Sequence, residues 1–201
     1  MPVYNRQEYI KRAINSVLEQ TYDNWELIIV DDGSNDGSSS LLEFYRTYSS
    51  KIKVIYQSHK NLPAARNNGI KNSSGYYITF LDSDDEFIKN HIELRINYLI
   101  ENPYIDFLHG GVQIIGNEFV PDKNDRSKQI HLSQCAIGAT FCGKRIVFEN
   151  LGGFKDIEYS EDSEFLERVI KNYQVKKVDF RTYVYHRETP DSITNSINRN
   201  T

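Results

Sequence analysis

Twice in this chain a short apolar run ends abruptly in a cluster of aspartates. Leu27-Ile28-Ile29-Val30 runs into Asp31-Asp32-Gly33-Ser34, and residues 76–81 run into Asp82-Ser83-Asp84-Asp85. Four apolar residues in a row have the length of a strand buried on both faces, as in a parallel sheet covered by helices. The turn-forming residues that follow close each strand. In such sheets ligands bind outside the carboxyl ends of the strands, so both acidic clusters are expected where a binding cleft would form.

The pattern between the clusters supports that sheet. Ile10, Ala13, Ile14, Val17 and Leu18 recur at helical spacing, with Asn5 as a candidate cap. Helices are predicted over 39–48 and 62–71, a strand over 52–56, and a helix carrying Ile88, Ile92, Ile96, Leu99 and Ile100 up to Asn102-Pro103. Strand and helix thus alternate, which predicts an α/β fold with a mostly parallel central sheet flanked by helices. Beyond residue 104 the pattern loosens. Two short strands are predicted over 105–120, an exposed loop over 121–128, short helices over 144–150 and 162–172, and extended chain over 175–184.

Bulk properties exclude several function classes. The 201 residues fit one domain, and a net charge of −4 lacks the basic field of a nucleic-acid binder. No apolar run is long enough to cross a bilayer. Two cysteines, Cys135 and Cys142, are too few for a disulfide framework; they read as core thiols in a reducing cytosol.

The acidic clusters carry the candidate chemistry. Asp82 and Asp84, two apart after a strand, can face one hard divalent cation such as Mg²⁺ or Mn²⁺ and leave open positions for a diphosphate. An acidic turn opening the next helix is the plain alternative. A calcium loop is rejected, because Phe87 stands where that loop needs glycine. Asp31 and Asp32 could accept hydrogen bonds from a nucleobase N–H or ribose hydroxyls, or could serve an ordinary strand-to-helix turn. Glu161-Asp162 opens a helix, where the dipole favours acidic residues whatever their task. Arg66 could reach a phosphate, although a lone arginine on a helix is usually solvated. His186 reads as an exposed strand residue rather than a metal ligand.

In order and spacing, several short segments together resemble one family. They are Pro2-Val3-Tyr4-Asn5, Ser16-Val17-Leu18-Glu19-Gln20-Thr21-Tyr22, residues 26–34, Ala64-Ala65-Arg66-Asn67-Asn68-Gly69, Gly75-Tyr76-Tyr77-Ile78, residues 80–85, Gly152-Gly153-Phe154 and Glu161-Asp162. The chain is similar along nearly its whole length to family 2 of the inverting glycosyltransferases, which have the GT-A fold. The resemblance implies a single catalytic domain over 1–201, with a nucleotide-sugar-binding half (1–103) and an acceptor-binding half with a C-terminal tail (104–201). It implies that Pro2 and Tyr4 line the base pocket, that Asp32 binds a uracil with Asp31 nearby, and that Arg66 lies beside the base or diphosphate. Asp82 would face the ribose and donor sugar together with Ser83, Asp84 would hold Mn²⁺ or Mg²⁺, and Asp162 would deprotonate the acceptor hydroxyl.

The implied partners are a nucleotide-sugar donor, a UDP-sugar first of all, and a glycan or lipid-linked glycan acceptor. The implied place is the cytoplasm, with peripheral association at the inner face of the membrane. Two departures from the family pattern stand out. The first strand, normally just before Pro-Val-Tyr-Asn, is cut short, so residues upstream of Met1 are expected to complete it. The Gln-x-x-Arg-Trp signature of processive synthases is absent, which points to single-sugar transfer. Residues 185–187 through 192–194 resemble the family tail. A sugar-phosphate nucleotidyltransferase would want a glycine-rich N-terminal loop, which Tyr4-Asn5-Arg6-Gln7 is not. A non-catalytic nucleotide-sugar or glycan-binding module would have no need of Asp162.

Overall fold

A computed structural model describes residues 1–157 and 159–189. In chain order the elements are β1 (Pro2–Val3), α1 (Ile10–Leu18), β2 (Leu27–Asp31), α2 (Ser38–Tyr48), β3 (Ile52–Tyr56) and α3 (Leu62–Lys71). Then follow β4 (Tyr77–Thr79), β5 (Glu86–Phe87), α4 (His91–Glu101), β6 (Phe107–His109), β7 (Val112–Ile115), β8 (Phe119–Pro121) and β9 (Gln129–His131). The described chain closes with β10 (Cys142–Lys144), α5 (Arg145–Asn150), α6 (Glu161–Asn172), β11 (Val175–Lys177) and β12 (Tyr183–His186).

The N-terminal sheet is parallel, in the order β1-β2-β3. Every residue of β2 is buried, as its unbroken apolar run requires. Helix α1 presses Ile10, Ala13, Ile14 and Val17 into the core. Each larger side chain so buried contributes about 1.5–3 kcal/mol relative to exposure. Helix α3 begins at Asn61, whose side chain accepts from the Ala64 N–H at 2.9 Å, with Pro63 in the first turn where its missing N–H costs nothing. Of the expected first strand the structure holds Pro2–Val3, paired with Val30–Asp31. The Met1 nitrogen donates to the Ile28 carbonyl at 2.8 Å. A cavity of about 420 Å³ is lined by Pro2 and Ile28 of this sheet and by Ile78 and Phe80 on the far side.

Beyond β4 the strands mix directions. Strand β10 runs antiparallel to both β4 and β6, while β11 pairs parallel with β6. A separate sheet sets β12 antiparallel to β5 and parallel to β7. The parallel expectation therefore holds for the first sheet, and the rest is mixed.

Two local expectations are corrected. Asn5 does not cap α1, which starts at Ile10 after Tyr9 with no side-chain cap; Asn5 has φ +50° and instead binds the 34–35 turn. Residues 86–87, expected near a helix start, form β5 because Phe87 pairs with Tyr183; α4 begins only at His91. The predicted loop at 121–128 is the tip of the β8–β9 hairpin, with Pro121 already inside β8. The expected extended stretch at 175–184 divides between two sheets. The segment resembling the family tail lies partly outside the described residues, from 190 onward.

Candidate active site

One cleft of about 710 Å³ gathers Asp32, Asp84 and Asp162, which come from three distant stretches of sequence. Pro2, Tyr4, Arg66, Asp82 and Ser83 line the same cleft. Asp31 does not. It is buried beneath the turn, accepting from the Ser34 N–H at 3.0 Å and the Ser39 hydroxyl at 2.6 Å.

At the Asp32 wall the turn is tight. Gly33 has φ +81°, and a Cβ there would stand 2.9 Å from the His59 nitrogen, so only glycine fits. The Asp32 carboxylate accepts from Gln57 Nε2 at 2.6 Å and from the Lys60 N–H at 3.0 Å, and lies 3.0 Å from His59 Nδ1. The His59 ring stacks on Tyr4 at 3.9 Å between centroids. Sequence reasoning missed His59, because nothing in its local pattern signals a stack with a residue 55 positions earlier.

The 82–85 turn is fixed from several sides. The Asp82 N–H donates to the Tyr183 hydroxyl at 3.2 Å, and that hydroxyl donates to Asp85 at 2.6 Å. Asp85 also accepts from the His186 N–H at 2.8 Å. Burial, together with the Asp84 and Asp82 charges, pushes Asp85 well above the usual carboxylate range. His186 is not an exposed strand residue: its side chain is only 13% exposed and its Nε2 lies 2.8 Å from Glu86 Oε1. The Asp84 carboxylate sits 3.7 Å from Arg6 Nε, and its backbone carbonyl accepts from Arg12.

A divalent ion would find the carboxylates of Asp82 and Asp84 here. Burial and the Asp82 charge raise the proton affinity of Asp84. Among the described residues no group of three or more His, Cys, Asp or Glu side chains is placed to hold a metal ion. An octahedral ion such as Mg²⁺ needs no such group when a diphosphate completes its shell. The donor set fits such an ion.

Arg66 is buried rather than solvated. Its Nη2 binds both oxygens of Asp82 at 3.0 and 3.2 Å, and its Nη1 binds Glu161 at 2.8 Å. In the same cleft Asp162 accepts from the Gly138 N–H at 3.2 Å and the Ser163 N–H at 2.7 Å. A Cβ on Gly138 would stand 3.1 Å from both Arg66 Nη1 and Asp162 Cβ, so the backbone passes close to both side chains there. Burial and the neighbouring Glu161 push Asp162 up to about 7, partly offset by Arg66.

Residues 1–155 match the sequence profile described as glycosyl transferase family 2. The chain belongs to that family. Over 144 residues it is 40% identical to the UDP-Glc:alpha-D-GlcNAc-diphosphoundecaprenol beta-1,3-glucosyltransferase WfgD of Escherichia coli, covering 69% of this chain and 55% of WfgD. It is 32% identical to the uncharacterized glycosyltransferase EpsJ of Bacillus subtilis, covering 96% of this chain and 61% of EpsJ. The chain thus spans less than two thirds of the length of either relative. S. aureus TarS 1-349 in complex with UDP-GlcNAc superposes with a TM-score of 0.77 at 21% identity, over 96% of this chain and 58% of that one. The mannosyltransferase PcManGT of Pyrobaculum calidifontis, in complex with GDP-Man and Mn²⁺, gives 0.73 at 18% identity, over 97% and 57%. At these identities the likeness shows a shared fold, the GT-A type.

Proposed function

We propose that this family 2 protein moves a sugar from a nucleoside-diphosphate donor, a UDP-sugar first of all, to a hydroxyl of a glycan or lipid-linked glycan. The reaction inverts the anomeric centre and depends on a divalent ion. The observation that carries this reading is the convergence of Asp32, Asp84 and Asp162 on one cleft. WfgD acts, by its name, on a UDP-glucose donor and a lipid diphosphate acceptor, and TarS was captured with UDP-GlcNAc.

Pro2, Tyr4 and Asp32 serve the base, and Asp82 with Ser83 the ribose and donor sugar, Asp82 being held in place by Arg66. Asp84 would hold a divalent ion, Mn²⁺ or Mg²⁺, which would supply positive charge to the departing diphosphate. Asp162 receives the proton of the acceptor hydroxyl, and a carboxylate whose proton affinity is raised towards neutrality is suited to that task. A base on one side of the sugar and the leaving group on the other make a single in-line displacement, hence inversion with no covalent enzyme intermediate. No helix of the described residues is long and apolar enough to cross a membrane. Action in the cytoplasm, at the inner face of the membrane, accords with a lipid-linked acceptor.

A thermal-shift screen of UDP-, GDP- and dTDP-sugars with and without Mn²⁺ tests the donor class. A ligand that binds only the folded protein raises its melting temperature by mass action. A UDP compound should stabilise the protein only with the metal present. Stabilisation indifferent to metal would remove Asp84 from its role.

A further inference from the structure

We propose that Glu161 is a positioning residue for the transfer: by sharing Arg66 with Asp82, it fixes the first turn of α6 so that Asp162 faces the cleft. This rests on the reading of Asp162 as the acceptor-side base, and it names a residue that this reading leaves unused.

Helix α6 needs an external anchor. Its N-cap residue, Ser160, sits at φ +66°, a left-handed conformation uncommon for a non-glycine residue, and makes no side-chain cap. The three acidic side chains of the first turn have different partners. Glu164 binds Arg168 on its own helix and Lys155. Asp162 takes the N–H groups of Gly138 and Ser163. Glu161 alone reaches across to α3, where Arg66 holds it at 2.8 Å.

Helix α3 holds the preceding segment as well. Asn67 exchanges two hydrogen bonds of 2.8 Å with the backbone of Phe154, and Asn61 donates to Asp156 at 2.6 Å. Of these three ties, the Arg66–Glu161 pair is the one that also carries a donor-side carboxylate. The Arg66 side chain is 3% exposed, so its pairing with Asp82 and Glu161 is poorly screened by solvent.

The charge of Glu161 also acts directly on Asp162. Among the described residues, the titratable groups facing Asp162 are Glu161 on its own helix, Arg66 from α3, and Cys135 and Tyr159 from the adjoining loops. Burial raises both the thiol and the phenol, so neither is charged near neutral pH. The balance at Asp162 is therefore set by burial, Glu161 and Arg66. Neutralising Glu161 removes a like charge and lowers the proton affinity of Asp162.

The test uses Glu161→Gln, which keeps an oxygen for Arg66 but drops the charge. The acid limb of its kcat/KM profile should move about one unit to lower pH, the scale of one nearby charge. Turnover above the limb should fall severalfold because the base is weaker, with donor KM close to wild type. Glu164→Gln removes the same charge from the same helical turn, and its acid limb should stay in place. A ¹³C carboxylate titration, with the Asp162 signal assigned by Asp162→Asn, reads the same midpoint without turnover. Glu161→Asp, which keeps the charge on a shorter arm, should lower kcat without moving that midpoint down.

Equal kcat for wild type and Glu161→Asp would overturn the positioning role, and equal midpoints for wild type and Glu161→Gln its electrostatic part, while wild-type turnover left the transferase reading standing. A wild-type protein inert towards every donor would sink the transferase reading, and the carboxylate titration would still decide the role of Glu161.

Discussion

The two halves of this molecule are built on different principles. Strands β1 to β3 lie in one parallel sheet, in chain order, and helices α1 to α3 follow them at helical and strand periodicities visible in the sequence. From β4 onward the pairings leap along the chain: β10 sits between β4 and β6, and β12 between β5 and β7. The donor-side carboxylates follow strand ends, Asp32 after parallel β2 and Asp82 and Asp84 after β4, which pairs antiparallel with β10. The acceptor-side carboxylate is carried by a helix whose entry is held by contacts to the other half. A platform of strand ends thus faces a wall built on a helix.

The largest effect should come from the base on that wall. Asp162→Asn should lower turnover by about 10²–10⁴-fold, the range for a lost general base, with metal-dependent donor binding kept. An unchanged turnover number would favour a protein that only binds nucleotide sugars. The same substitution has a stability signature of opposite sense. Asp162 is raised in the folded state, so its contribution is fully present below the ordinary carboxylate range and is lost as pH rises through about 7. The melting temperature of Asp162→Asn should therefore exceed that of wild type at pH 8 and approach it near pH 5. A difference independent of pH would show that the charge at 162 is not held at a cost.

Next in size is the platform's own acid. Asp84→Ala should abolish the part of the thermal shift by a UDP-sugar that requires Mn²⁺. Partial retention would mean that Asp82 holds the ion without it, even though Arg66 already occupies both oxygens of Asp82.

The link between the halves at the 82–85 turn is tested by Tyr183→Phe. It removes a donor from buried Asp85 and an acceptor from the Asp82 N–H. Orphaned buried polar groups cost about 1–3 kcal/mol, to be read by chemical denaturation. Donor affinity should weaken along with stability, because the same turn carries Asp84. If stability falls while donor affinity stays at the wild-type value, the turn holds its shape without β12.

Much of the platform was legible in the sequence, and the reason is local. Leu27-Ile28-Ile29-Val30 declares a strand, the aspartates declare its end, and the Ile10 to Leu18 face declares a helix, all within a few residues. Tyr183 carries no such signal, since its partners lie about a hundred positions away and its own surroundings read only as extended chain. Residues 86–87 misled for the same reason: their strand exists only because β12 lies beside them. Asp31 and Asp32 show the limit within the platform itself. Adjacent and chemically identical, they part company because successive strand residues point to opposite faces, so one is sealed under the turn and the other opens on the cleft. Arg66 looked like a solvated charge because the two carboxylates that bury it are 16 and 95 positions distant.

The smallest effect sharpens the comparison furthest, because one residue serves both halves. Asn61 caps α3 through its Oδ1 and donates through its Nδ2 to Asp156, in the segment that leads to α6. Asn61→Ala removes both contacts and should cost about 1 kcal/mol, chiefly the cap. Asn61→Asp keeps a capping oxygen but sets a carboxylate against Asp156, so it should destabilise less than alanine and recover when Asp156→Asn removes the repulsion. The coupling in that double-mutant cycle measures the tie between platform and wall free of the cap. A coupling of zero would leave Arg66 and Asn67 as the side chains of α3 that fasten the acceptor wall to the donor platform.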